Sequence, residues 1–187
     1  MCTPPGILHT LLLVHGQLQR STRQELRACL DYVCTLERHA DGAPGPGGWF
    51  PTAMADPPGQ EKLLVHWCHG APGAVFLFTR AWQVYREDSY LEVAKRAADV
   101  TWERGLLRKG PGLCHGVSGS AYAQLALHRA TGEARYLHRA VQMAMFMRGE
   151  VFREAARTPD RPFSLFEGEA GAACLFADLL QPQVRGV

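Results

Sequence analysis

The sequence has no apolar run long enough to cross a bilayer. The apolar stretch Ile7–Val14 falls well short of the ~20 residues a spanning helix needs. It also lacks the charged start and small-residue cleavage site of a secretory signal. Met1-Cys2 lacks the second-position glycine that myristoylation requires. Charge of one sign is scarce as well. The net charge is +2, and no basic block exceeds a pair such as Arg108-Lys109, so there is no electrostatic footprint for nucleic acid. These lacks lead to the expectation of a cytoplasmic chain with no transmembrane segment and no nucleic-acid partner. Without a secretory signal, the six cysteines are expected as thiols rather than as a disulfide framework. What is present is ordinary: 187 residues, 47% hydrophobic and 20% charged, suffice for one domain with a core.

Most of the chain is helical text. Residues 1–6, Met-Cys-Thr-Pro-Pro-Gly, are expected to be non-helical, and Ile7–Gln19 reads as a buried helix. Ser21 and Thr22, with Gln24 and Glu25 three positions on, offer capping boxes for a helix running to about Arg38. Its apolar stripe is Leu26, Cys29, Leu30, Val33, Cys34 and Leu36, with the cysteines as small hydrophobes. From Ala40 to Lys62 glycine and proline rule out regular elements, Asp56-Pro57-Pro58-Gly59 included. Trp49 and Phe50 argue that this loop folds back onto the domain. A functional loop and a plain surface connection are equally consistent with it.

Two corners then repeat. Trp67-Cys68-His69-Gly70-Ala71-Pro72-Gly73 and Leu113-Cys114-His115-Gly116-Val117-Ser118-Gly119 both read Cys-His-Gly-x-x-Gly. Tyr90-Leu91 and Ala94 recur at the same offset as Tyr136-Leu137 and Ala140. A third corner, Phe166-Glu167-Gly168-Glu169-Ala170-Gly171, keeps the glycines and replaces Cys-His by Phe-Glu. After each corner comes a helix apolar nearly all round: Ala74–Tyr85, Ser120–Ala130 and Ala172–Leu180. The first two are followed by amphipathic partners, Ser89–Arg104 and Ala134–Val151. Their expected inner faces are Leu91, Ala94, Ala98, Thr101 and Trp102, then Leu137, Ala140, Val141, Ala144 and Met145. The methionines 143, 145 and 147 read as core filling. Enclosed helices inside amphipathic ones give two concentric layers, an all-α fold of the α/α toroid or barrel type.

The corners also carry chemistry. Their glycines allow positive φ and close approach, and amides at a helix start favour thiolate. Cys68 and Cys114 would converge from adjacent corners with His115 beside them. Two thiolates and an imidazole suit zinc and leave a fourth position for an incoming thiol. Cys68 and Cys114 as inert helix-cap cysteines, with His115 a satisfied core histidine, is the competing account. In the metal reading His69 would be an orienting group behind the ligands. Glu167 and Glu169 are also a formal carboxylate pair for glycoside hydrolysis, but two residues on one corner flank a sugar bond poorly.

At these residues the chain resembles the eukaryotic lanthionine synthetase C-like (LanC-like) proteins. The matching text is Leu63–Gly73, Gly112–Gly116, Arg157-Thr158-Pro159-Asp160 and Pro162–Gly168, within a likeness running from about Gly6 to near the C-terminus. The resemblance implies a ring of seven helical hairpins around a zinc ion held by Cys68, Cys114 and His115. It implies a site for glutathione formed by Lys109, Arg157, Thr158, Pro159 and Asp160. The implied reaction adds the glutathione thiol to dehydroalanine or dehydrobutyrine in a protein substrate. The resemblance also calls for an acid/base histidine in an earlier Ala-His-Gly-x-x-Gly corner, where this sequence has Cys2-Thr3-Pro4-Pro5-Gly6, so the acid/base residue is unknown. Residues 1–187 are thus expected as a single domain, the C-terminal part of a LanC-like barrel with an incomplete ring. It is expected to keep its zinc ligands with impaired catalysis, to expose inner-helix faces and to associate. The alternative is a non-catalytic zinc- and glutathione-binding or protein-interaction module.

Overall fold

The computed structural model describes residues 4–53 and 62–183. Among them are eight α-helices: α1 (Pro4–Leu13), α2 (Arg20–Thr35), α3 (Ala71–Tyr85), α4 (Asp88–Arg104), α5 (Val117–Thr131), α6 (Ala134–Arg148), α7 (Glu150–Ala155) and α8 (Glu169–Leu180). The only β-type pairings among these residues are isolated bridges. The fold is all-α, as the periodicity predicts. α1–α2, α3–α4 and α5–α6 are hairpins, and α1, α3, α5 and α8 pack side by side in that order as the inner layer. α4 also packs on α5, and α6 on α8, so these two outer helices span to the next inner one. This is the α/α arrangement of a toroid, present here as an arc.

Burial follows the layers. α3 buries Ala71, Pro72, Ala74, Val75, Leu77, Phe78, Thr79 and Ala81, and α5 is similarly enclosed from Val117 to His128. The outer helices bury one stripe each, and these differ from the expected ones. α4 buries Tyr90, Val93, Ala94, Ala97, Ala98, Val100 and Thr101, while Trp102 stays exposed. α6 buries Tyr136, Ala140, Met143, Ala144 and Met147, leaving Val141 and Met145 exposed. The stripe is centred on the tyrosine that opens each helix. Tyr90 is buried and donates to Asp31 Oδ1 at 2.5 Å, a polar anchor that hydropathy alone does not reveal.

Helix starts depart from expectation in one direction. α3, α5 and α8 begin at Ala71, Val117 and Glu169, inside the Gly-x-x-Gly text expected to be turn. Pro72 sits in the first turn, where its missing N–H costs nothing. For the same reason Pro4-Pro5-Gly6 opens α1 instead of preventing it; Met1 to Thr3 lie outside the described residues. α1 ends at Leu13, short of the expected Gln19, with Ile7 and Leu13 exposed. The expected capping boxes do not form: α2 starts at Arg20 after Gln19, with no side-chain cap. Arg23 binds the carbonyls of Leu18 and Gly16 instead. Cys29 is exposed rather than part of the stripe. Gly149, in extended conformation, ends α6 and separates off α7.

The loop after α2 does fold back. Buried Glu37 accepts from Gly48 N at 2.8 Å and binds Arg96 of α4 through two nitrogens at 2.7 and 2.8 Å. Phe50 packs on Phe78 with ring centroids 5.9 Å apart. The Asp56–Gly59 stretch lies outside the described residues.

Candidate functional site

The corners are tied edge to edge through their backbones. Cys68 N donates to Cys114 O at 3.3 Å, and Cys114 N donates to Phe166 O at 2.8 Å. Positions 68, 114 and 166 occupy the same place in the three corners, so one hydrogen bond each sets neighbouring corners in register. The glycines make this possible by close approach more than by unusual φ. A methyl on Gly73 would lie 2.4 Å from Trp67 O, one on Gly119 2.0 Å from Leu113 O and one on Gly171 2.6 Å from Leu165 O. Of the glycines that open the three corners, only Gly70 has positive φ, at 118°.

This register brings two sulfurs and an imidazole together. The donor atoms of Cys68, Cys114 and His115 all lie within 4.8 Å of one another, and each residue is half-buried. Among the described residues this is the only cysteine, histidine or acidic cluster of that compactness. Tetrahedral ligands at ~2.0–2.3 Å from one ion stand about 3.3–3.8 Å apart, so small movements would complete such a sphere. The donor chemistry points the same way. Burial, a hydrogen bond with Cys68 and the negative charges of Cys68 and Glu167 push the Cys114 thiol up to about 12, against the pull of Lys109. The lowering expected from the helix start is not met at Cys114, which precedes α5 and lies outside its first turn. Protein groups alone thus leave this sulfur protonated, and a dication in contact would reverse the balance. The set fits zinc.

His69 stands apart from the trio. With Trp67 and Cys68 it lines a cavity of about 690 Å³ that reaches past Phe76 to Phe50 and α1. The ring beside His115 belongs to His66, whose centroid is 5.8 Å away. His66 is buried, and burial together with Lys109, His115 and His69 lowers its pKa to about 4. Repeat logic overlooks it because the corresponding position in the second corner is Gly112. The available signal was the histidine itself, two residues before Cys68.

Lys109 is exposed, yet close enough to act on both His66 and Cys114. The 157–160 loop packs beside it. Arg157 N donates to Arg108 O at 2.7 Å, and a methyl on Gly110 would sit 3.5 Å from Pro159 and 3.6 Å from Arg157 O. Arg157, Thr158 and Asp160 are exposed and Pro159 is half-buried. Lys109 and this loop therefore share one rim beside the trio, although they are far apart in sequence. Glu167 is the third-corner counterpart of His115. One of its carboxylate oxygens is shielded from solvent and has no hydrogen-bond partner. Glu169 is exposed. Among the described residues no helix is long and apolar enough to cross a membrane.

Residues 4–186 match the family described as lanthionine synthetase C-like protein. The chain is 43% identical over 157 residues to a protein of Danio rerio named Glutathione S-transferase LANCL1. That alignment takes in 84% of this chain and 36% of the relative, so the chain spans about a third of the relative's length. With the arc of hairpins and the corner motifs, these matches identify the chain as a member of the LanC-like family.

Proposed function

We propose that this chain forms a zinc-dependent thiol-binding site of LanC-like type, which takes glutathione and directs its sulfur at dehydroalanine or dehydrobutyrine residues in a protein. The observation that carries the reading is the convergence of Cys68, Cys114 and His115 donor atoms to within 4.8 Å, held by the Cys68–Cys114 backbone bond. Those three residues would hold the ion, and zinc when bound would supply a Lewis acid that keeps a thiol ionised at neutral pH. Lys109 and Arg157 would take the carboxylates of a peptide thiol, as cations suited to that chemistry. Trp67 and Phe76 line the cavity that opens beside Cys68, and apolar walls of that kind would favour a bound thiol over water. The name of the zebrafish relative supports glutathione as the thiol.

Conjugate addition joins the sulfur to the β-carbon and needs a proton delivered to the α-carbon. His66 is held as the neutral imidazole at pH 7 and is a poor acid for that step. This favours a second reading, in which the chain binds zinc and glutathione with little or no turnover. A cytoplasmic location belongs with either reading, since glutathione is abundant there.

Metal analysis of the native chain beside Cys114→Ser tests the site. The native chain should hold about one zinc per chain and the variant almost none, with glutathione binding lost on chelation. Equal metal content in both would end the proposal. Mass spectrometry of a dehydroalanine peptide incubated with chain, zinc and glutathione then separates turnover from binding alone.

A further inference from the structure

Cys68 and Cys114 differ from the other described cysteines in how they are held. Cys29 and Cys34 share α2 at a spacing that does not put them on one face, and Cys174 is the single cysteine of α8. Cys68 and Cys114 come from two corners remote in sequence, yet their sulfurs lie within 4.8 Å of each other. Cys68 N donates to Cys114 O at 3.3 Å, which joins the two residues directly through the backbone. Backbones paired in that way carry Cα atoms about 5.5 Å apart, inside the ~4.4–6.8 Å that a disulfide spans. Side-chain rotation is then enough to bring the sulfurs to bonding distance. Both residues are half-buried, and Cys68 lines the cavity of about 690 Å³, which gives a small oxidant a path to the pair.

The same contact serves two closed states that exclude each other. Sulfurs bound to one tetrahedral ion stand about 3.8 Å apart as thiolates. Joined to each other they stand ~2.05 Å apart and carry no charge. The thiolate is the metal ligand, and a disulfide sulfur has lost that character.

We propose that Cys68 and Cys114 form a reversible disulfide between the two corners when the chain meets a hydroperoxide, and that this cross-link excludes the metal. Cys68, on the cavity side, attacks the peroxide as a thiolate. The O–O bond breaks, a hydroxide or alkoxide leaves and takes up a proton, and a sulfenic acid remains on Cys68. The Cys114 sulfur then attacks that sulfur, the S–S bond forms, and the sulfenic oxygen departs as water with the thiol proton. The two sulfurs give up two electrons between them and the peroxide gains them. Two molecules of a thiol such as glutathione reverse the change by exchange and leave as their own disulfide. The cross-link stands on the contact between the corners; its effect on zinc rests on the metal reading above.

The test is peptide mapping of the full chain, zinc-free and zinc-loaded, after hydrogen peroxide and alkylation of the remaining thiols. Trypsin places Cys68 in peptide 63–80 and Cys114 in peptide 110–129, neither with a second cysteine. The expected product is these two peptides joined and short of two hydrogens. Zinc uptake should fall with it from about one ion per chain to none, and return after reduction. In Cys114→Ser, peptide 63–80 should instead carry a sulfenic acid that dimedone captures. Peptides that stay separate in the native chain overturn the inference. So does a fully cross-linked chain that still takes up zinc. If the reduced chain binds zinc and the peptides stay separate, only the cross-link falls. If the peptides join but the reduced chain binds no zinc, the cross-link stands and the metal reading falls. Circular dichroism checks that Cys114→Ser folds; if it does not, the joined native peptides decide.

Discussion

At the scale of single residues, the site is a problem of charge. Cys114 is pushed up to about 12 by burial and by Cys68, so this thiol holds its proton unless a cation joins it. Zinc uptake must therefore release protons, about two per ion when both sulfurs ionise. Zinc affinity is expected to rise steeply from pH 6 to pH 8, and competition with a chromophoric chelator across that range measures it. A flat profile would mean that the sulfurs are not the ligands. His66 adds a lesson about reading repeats. The offset between corners found Cys68, Cys114 and His115, yet a histidine present in one repeat only escaped it, because its counterpart is Gly112. The neighbourhood of Lys109 and the 157–160 loop was legible only through the family resemblance; as isolated cations they look like any surface charge.

At the scale of elements, the corners are built by backbone contact. Their glycines let the start of each inner helix rest on the preceding carbonyl. Gly119→Ala would place a methyl 2.0 Å from Leu113 O and 3.2 Å from the Trp67 side chain. This variant should lose about 2 kcal/mol of stability and weaken zinc binding, since Leu113 immediately precedes Cys114. Urea unfolding measures the first effect. Gly16→Ala, with nothing within 4 Å of the added methyl, is the control and should be near neutral. The loop after α2 depends on one buried anion. Glu37 is 5% exposed and holds both Gly48 N and Arg96. Glu37→Ala should cost about 3 kcal/mol, the lower end for a broken buried pair because Arg96 is partly exposed. Chemical denaturation measures that cost, and faster proteolysis within residues 38–49 should accompany it.

At the scale of the whole molecule, acid should weaken the fold. Burial with Arg80 lowers the pKa of His9, and burial with Lys109 and the nearby histidines takes His66 to about 4. The unfolded chain takes up these protons near pH 6.5, whereas the folded chain resists until lower pH. Below about 6.5 the unfolded state binds more protons, so stability is full above that value and is lost as pH falls toward 4. The urea midpoint of chelator-treated protein should drop between pH 7.5 and pH 5; a constant or rising midpoint would refute the assignment. The arc also leaves Ile7 and Leu13 of α1 exposed at 47% and 56%, where the expected Ile7–Gln19 helix was to be enclosed.

The sequence by itself determined the helical class, the order of hairpins, the two-layer plan and the candidate metal donors. All of these follow from periodicity along the chain or from text repeated at a constant offset, which are local properties. Tertiary structure decided where each helix starts, because glycine and proline are breakers in mid-helix but acceptable in a first turn. It also decided which stripe of α4 and α6 faces inward, through the anchoring tyrosines. The meeting of Lys109, the 157–160 loop, His66 and Glu167 around Cys114 arises from hydrogen bonds between corners remote in sequence, and no local pattern encodes that proximity.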